Sequence, residues 1–370
     1  MTKKLHIISF NIPSPPNYGG VIDVYYKLES LHRAGIEIYL HCFEYNRPRD
    51  PELEKLCHKI FYYPRQTDFK AQLSVLPFIV KGRNHPELLQ NLLSVTAPIL
   101  FEGLHACYFL VHPLLGAYKK IVRTHNIEHQ YYFNLYNSET TFYKRCYYAI
   151  ESLRLKLFES KLKHAQHILA ISETDTTYFQ DQFETATFIP PFHPFRELSC
   201  EKGYGDYVLF HGDLSVTENQ KAVKYLIRKI FSEITLSFII AGKNPPEWLV
   251  KMVKDIPHIS LVENPSRQKM DQLIHDAQIC LIPAFQSSGM KLKLLASLFG
   301  GKHCVTNSIM VQGTDLKNLC HIADTPQEMI QTIQKLIELK FDKEDIHRRK
   351  LKLETFYSND VNAQKIIEHL

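Results

Sequence analysis

The strongest constraint in this sequence is its rhythm. Short apolar runs alternate with longer stretches of helical period, stop at a proline-rich break near residue 190, and then start again. Leu5–Ser9 reads as a buried strand. Val21–Ala34 reads as a helix with Val24, Leu28 and Leu31 on one face, closed by Gly35, and Glu37–Cys42 as the next strand. Ile60–Tyr63, Ile99–Glu102, Lys120–Thr124 and His167–Ile171 continue the series. Strand, helix, strand repeated in this way implies a parallel sheet covered on both faces.

The segment IPPFHPFRELSCEKGYGDY from Ile189 has three prolines, two glycines and no period, as expected of a crossing between domains. Beyond it lie strands at Tyr207–His211, Leu236–Ala241, Ile259–Val262, Ile279–Pro283 and His303–Thr306, with helices at Asn219–Ile230 and Gly289–Gly300. The expected fold class is therefore α/β, with two Rossmann-like doubly wound parallel-sheet domains facing across a cleft. The expected boundaries are 1–190, 191–344, and a helical segment 345–370 that returns to the first domain. Sheets of this kind take ligands at the carboxyl ends of their strands, which makes the cleft the natural site.

With 370 residues, 45% hydrophobic and 22% charged, the chain has enough apolar side chains for two cores, and disorder and coiled coil are excluded. A net charge of +5 is too small to imply a nucleic-acid partner unless it is gathered on one face. Anionic small molecules and an acidic membrane surface stay open. The eight cysteines include no CxxC pair, the usage of reduced thiols in a cytoplasmic protein. MTKKLHIISF is too soon interrupted for a signal peptide, and the apolar stretch Leu73–Val80 is too short to span a bilayer. A cytoplasmic protein is expected, with the inner face of the membrane open to it.

Several strand ends carry groups suited to chemistry. The first strand runs into IPSPPNYGG, where Gly19 and Gly20 let backbone N–H groups approach a ligand at a helix N-terminus. A tight turn that only feeds the helix is the other reading of this pair. No GxGxxG occurs, which disfavours a nicotinamide dehydrogenase. After KIVRT comes HNIEH, with His125, Asn126, Glu128 and His129 just past a strand's carboxyl end. The i,i+4 histidines would suit a metal on a helix, but a third ligand and the HExxH form are both missing, so no metal is expected. Polar contacts to a substrate are the favoured reading, and a surface cluster without a role is the bland one.

In AFQSSGMKLKLLASLFGGK, residues Ser287, Ser288 and Gly289 form a small turn ahead of a helix, with Lys291 and Lys293 close behind. Backbone donors and ammonium groups together suit a diphosphate, while solvated lysines on a short turn are the alternative. YVLFHGDLS places Gly212 at a strand end. From Tyr131 to Ala165 the chain is dense in aromatic and basic residues. Phe142, Cys146, Ile150, Leu153 and Leu157 fall at helical spacing and are expected to be a core face, leaving the other aromatics and cations for a membrane surface.

These segments together resemble bacterial glycosyltransferases of the GT-B fold, in particular the family 4-like retaining group. The resemblance rests on the order and spacing of PPNYGG, RTHNIEHQYY, LKLFE, ILAISETD, IPPF, FHGDL with Asn219, FIIAGKNPP and LIPAFQSSGMKLKLLASLFGGK, spread over nearly the whole chain. It implies a nucleotide-diphospho-sugar donor bound mainly by the C-terminal domain and a glycan or lipid-linked acceptor bound by the N-terminal domain. It also implies no cofactor and no obligatory metal. His125 would face the reacting sugar, Gly19 and Gly20 would lie beside the donor phosphates and acceptor, and Ser288, Gly289, Lys291 and Lys293 would lie near the diphosphate. The expected reaction is sugar transfer in polysaccharide or surface-glycan assembly.

Two positions depart from the family pattern. Ala296 stands where the family carries a glutamate for the donor ribose, and Asp213 stands where a basic residue usually follows the glycine. Loss of one such charged hydrogen bond weakens binding by about 1.5 to 3 kcal/mol. The rival reading is accordingly a catalytically degenerate relative that acts as a binding or partner subunit. An epimerase would need acid and base carboxylates that the sequence does not identify.

Overall fold

In a computed structural model the chain is described over residues 3–72, 74–286 and 291–370. Three expected site residues, Ser287, Ser288 and Gly289, lie outside the described residues. The chain forms two compact units. The first runs to Pro194 and takes in Phe356–Leu370; the second runs from Phe195 to Thr355.

The first unit is built on β1 (Lys4–Ser9), β2 (Glu37–Glu44), β3 (Lys59–Pro64), β4 (Ile99–Glu102), β5 (Lys120–Thr124), β6 (His167–Ala170) and β7 (Ala186–Phe188). They lie in the order β3-β2-β1-β4-β5-β6-β7, and every pair is parallel. The chain first builds outward from β1 to β3 and then returns to β4 on the other side of β1. That reversal between β1 and β4 opens a crevice at the strands' carboxyl ends. Alternate residues feed opposite faces of the sheet. Ile8, Phe101 and Val122 join one buried cluster and Ile7, Leu100 and Ile121 the other.

The second unit repeats the plan with β8 (Val208–Asp213), β9 (Phe238–Lys243), β10 (Ile259–Glu263), β11 (Ile279–Leu281), β12 (His303–Thr306) and β13 (His321–Ile322), in the order β10-β9-β8-β11-β12-β13. Here the reversal lies between β8 and β11. Two doubly wound parallel sheets are thus present, each with apolar clusters on both faces.

The C-terminal return begins later than residue 345. Helix Lys343–Phe356 belongs to the second unit almost to its end, because buried Arg349 donates from its guanidinium to the carbonyl oxygens of Leu298, Gly301 and Lys302. Helix Asn359–Glu368 then packs Ala363 and Ile366 into the cluster that holds Val24, Leu28 and Leu31 of helix Gly19–Arg33.

One expected core face is on the outside. In helix Phe142–Glu159, Phe142 is 81% exposed, Ile150 52%, Leu153 62% and Leu157 67%, and Cys146 is exposed as well. The buried side is instead Glu151, Leu155, Phe158 and Glu159. Glu151 turns inward because its carboxylate accepts from the Phe78 N–H at 2.7 Å and from Arg154 at 2.8 Å.

Candidate functional site

Three strand ends meet at the crevice of the first unit. β1 delivers Phe10, whose ring meets that of His125 edge-on with centroids 5.5 Å apart. Helix Gly19–Arg33 starts directly against this ring. A Cβ added to Gly20 would sit 2.8 Å from Phe10 Cζ, so any side chain there would have to displace the ring. β4 ends in Glu102, and β5 ends in Thr124 and leads to His125.

Beneath His125 lies a buried charge network. Lys27 Nζ donates to Asp23 at 2.8 Å and to both oxygens of Glu102 at 2.7 and 2.9 Å. Arg123 donates to Asp23 at 2.9 and 3.3 Å, and to the carbonyl oxygens of Ile189 and Pro190 at 2.5 and 3.0 Å. The Phe192 N–H adds a bond to Asp23 at 2.8 Å. Burial opposes ionisation of Asp23, but Arg123 and Lys27 outweigh it and hold the carboxylate well below its usual range. Glu102 is shifted the same way: burial opposes, and Lys27 and His125 prevail. Both carboxylates are therefore ionised and fully engaged.

This network fixes His125. Its Nε2 lies 3.1 Å from Glu102 Oε2, and an ionised carboxylate can only accept, so Nε2 carries the hydrogen. In the neutral ring the lone pair is then on Nδ1, which is buried and has no partner. His129 takes no share in this. Its Nδ1 meets Glu159 at 3.2 Å, so the two histidines of HNIEH serve different carboxylates and form no i,i+4 metal pair. One ligand atom each of Asp23, Glu102 and His125 lie within 4.8 Å of one another, but Lys27 and Arg123 already neutralise those carboxylates.

Glu128 opens helix Glu128–Ser138 and is 3% exposed. Burial pushes its carboxyl up to about 8 against the opposing effects of Asn126 and Arg83, so it holds its proton at neutral pH. Asn126 is a hydrogen-bonding neighbour of this carboxyl. His125, Asn126, Glu128 and Gly20 are thus brought to one crevice. Gly19 begins the adjoining helix.

The sequence reading missed Asp23, Lys27, Glu102 and Arg123. Asp23 and Lys27 are four apart on a stripe otherwise occupied by Val24, Leu28 and Leu31, and Arg123 interrupts an apolar strand. Charges at positions whose period demands burial were the available signal.

The second unit gathers its residues around the end of β8. Asn219 Nδ2 donates to the Asp213 carbonyl at 2.7 Å, and Lys293 Nζ donates to Asn219 Oδ1 at 2.6 Å while lying 5.2 Å from the centre of the Phe210 ring. A Cβ on Gly212 would come 3.0 Å from Asn219 Nδ2 and 3.2 Å from Lys293 Cδ. Behind it, a Cβ on Gly242 would fall 1.9 Å from the Gly212 carbonyl oxygen, a contact no side chain tolerates. Burial lowers Lys291 to about 8, and burial together with Lys291 lowers Lys293 to about 8. A bound anion would raise both back toward the ordinary lysine range.

Both departures from the family pattern have local partners. Ala296 packs in a cluster with Leu209, Ala241, Leu273, Ile274 and Cys280, and Asp213 accepts from the Ser215 N–H and hydroxyl at 3.0 and 2.7 Å. Next to Ala296, Ser297 holds His211 at 2.9 Å, and burial pushes that imidazole down to about 3. This pair was also missed, since neither residue falls in a turn or at a helix start.

Residues 205–339 match the family of glycosyl transferases, group 1. The match spans most of the second unit. Over the whole chain, similar solved structures include sucrose-phosphate synthase from Thermosynechococcus elongatus, with TM-score 0.64, 12% identity and coverage of 99% of this chain and 98% of that one. The apo lipopolysaccharide outer core galactosyltransferase WaaB gives the same four figures, and TarM gives 0.66, 8%, 100% and 99%. Their likeness shows the GT-B fold. A curated relative, an uncharacterized 44.6 kDa protein in the cps region of Klebsiella pneumoniae, is 28% identical over 330 residues, 84% of each chain. The family match over residues 205–339 and the fold of the whole chain both agree with the resemblance, and the degenerate alternative is not favoured.

Proposed function

We propose that this glycosyltransferase moves a sugar, with retention of configuration, from a nucleotide-diphospho-sugar to a glycan or lipid-linked acceptor in surface-polysaccharide assembly. The observation that carries this reading is the Gly212–Asn219–Lys293 constellation inside the group 1 domain. Two half-buried lysines at a bare strand end suit a leaving diphosphate, whose charge they meet where a metal would otherwise be used. The cps location of the Klebsiella relative supports a capsule-type product. In the first unit, His125 presents its free Nδ1 from a fixed ring, which suits a contact to a reacting sugar. The test is incubation with a panel of nucleotide-diphospho-sugars, with and without EDTA, following nucleoside diphosphate release and the anomeric configuration of the product. Release undiminished by EDTA, with the donor's configuration retained, is expected. No release from any donor contradicts the reading.

A membrane-bound acceptor is favoured by one further observation. The exposed stripe Phe142, Ile150, Leu153 and Leu157 lies on a helix whose exposed cations include Lys144, Arg145 and Lys156, followed by Lys161 and Lys163. No helix among the described residues is long and apolar enough to cross a membrane. We read the stripe as a peripheral contact at the inner face, apolar side chains in the acyl boundary and cations on anionic headgroups. Sedimentation with vesicles of phosphatidylglycerol should carry the protein down, and Leu153→Glu with Leu157→Glu should release it. Equal sedimentation of both proteins contradicts the contact.

A further inference from the structure

Four buried polar atoms without partners are concentrated at the reversal between β1 and β4: His105 Nδ1, Thr124 Oγ1, His125 Nδ1 and Glu128 Oε1. Unpaired buried polar atoms are uncommon in folded proteins, and one alone costs about 1 to 3 kcal/mol. Their residues are held close together. The Phe10 ring lies 5.6 Å from that of His105 and 5.5 Å from that of His125. Gly103, at φ 72°, is bare between the two imidazoles: a Cβ there would be 3.0 Å from His105 Nδ1 and 3.7 Å from His125 Cδ2. Glu128 is 3% exposed, Thr124 2% and His125 8%.

His105 Nδ1 and Glu128 Oε1 are 3.8 Å apart. That is too long for a hydrogen bond between them, yet one oxygen atom fits within about 2.8 Å of both. We propose that His105 and Glu128, with the Nδ1 of His125 alongside, form a binding subsite for the hydroxyl groups of an uncharged sugar ring, on the acceptor side of the proposed reaction. The inference rests on the glycosyltransferase reading and adds to it the substrate group and the residues that hold it.

The chemistry of the donor set selects this ligand. A protonated carboxyl donates one hydrogen, the His125 lone pair accepts one, and the Thr124 hydroxyl does both. Groups that both donate and accept match sugar hydroxyls, whereas an anion only accepts and an ammonium only donates. Burial keeps Glu128 protonated, with Asp175 and Glu159 acting the same way and Asn126 and Arg83 opposing. Burial, with the Arg83 and Arg65 charges, keeps the His105 ring neutral. Arg83 is itself buried and donates to the carbonyl oxygens of Phe10 and Ile79. The lining is therefore polar but largely uncharged where the ligand would sit.

The test uses the full chain with 13C-labelled histidine and NMR titration of methyl α-D-glucopyranoside, methyl α-D-galactopyranoside, methyl α-D-mannopyranoside and sodium D-glucuronate. At least one neutral glycoside should shift the ring signals of His105 and His125. Its Kd should rise about tenfold in Glu128→Ala and about fivefold in His105→Ala, and stay within about threefold in Glu128→Gln, whose amide still donates. If Glu128→Ala does not fold, the other two variants carry the comparison. The proposal is overturned if no glycoside moves these signals, if neither His105→Ala nor Glu128→Ala weakens binding, if Glu128→Gln is as weak as the alanine variant, or if glucuronate binds more tightly than every neutral glycoside. Thermal stabilisation by nucleotide sugars is recorded on the same samples. Donor stabilisation with a failed glycoside titration overturns this subsite alone, and failure of both also removes the reading it rests on.

Discussion

The two units present opposite electrostatic designs at equivalent places. Each has a parallel sheet that reverses beside its first strand, and each gathers its polar groups at the carboxyl ends. In the first unit, Asp23, Lys27, Glu102 and Arg123 satisfy one another completely, and the product of that balance is a single oriented ring, His125. In the second, Lys291 and Lys293 are half-buried near each other with their ammonium groups held below their usual basicity. The first network is closed and sets geometry. The second brings two cations together and is suited to receive an anion.

The largest expected effect breaks the closed network. Lys27→Met leaves Asp23 and Glu102 short of a buried counter-charge and should cost about 3 to 5 kcal/mol, read by urea unfolding. A loss under 1 kcal/mol would mean that the network contributes little to the fold. The same change in the second unit should act in the other direction. Lys293→Met removes an amine that burial already disfavours, so the protein should unfold no more readily at pH 7 while losing nucleotide affinity.

Stability against pH sharpens the contrast. Glu128 has a folded pKa raised to about 8 from the ordinary 4.5, so the folded state binds the extra proton between those values and stability falls as pH rises through that window. Lys293 has its folded pKa lowered to about 8 from 10.5, so the unfolded state binds the extra proton and stability rises between about 8 and 10.5. Glu128→Gln should flatten the first slope and Lys293→Met the second, in thermal unfolding followed across pH. Unchanged slopes would place these groups in solvent.

The smallest effect concerns Ala296. Among Leu209, Leu273 and Ile274 a carboxylate has no partner, so Ala296→Glu should destabilise the protein without creating donor binding. A gain in nucleotide affinity would contradict this packing and revive the degenerate reading.

The alternation of apolar runs with helical stretches was legible because both faces of each sheet are buried, which leaves strands such as Ile99–Glu102 almost uniformly apolar. The exceptions have physical causes. Strand β7, three residues long, and β13, with two, are too short to carry a period. The stripe Phe142 to Leu157 has a true helical period, but a period does not say which face is inward, and the inward one is set by Glu151 and its hydrogen bonds from Phe78 and Arg154. Of the site, His125, Glu128 and Lys293 were legible as polar residues near strand ends or helix starts. Asp23, Lys27 and His105 were not, because their roles come from long-range contacts with strands and loops far away in sequence.

The central claim is that Lys293, held by Asn219 beside Gly212, meets the diphosphate of the donor. Titration calorimetry with the nucleoside diphosphates UDP, GDP, ADP and dTDP, on the native chain and on Lys293→Met, tests it most directly. At least one should bind the native chain and lose affinity tenfold or more in the variant, with the loss shrinking as salt rises. Equal affinity in both proteins, or no binding of any of them to the native chain, would contradict the account.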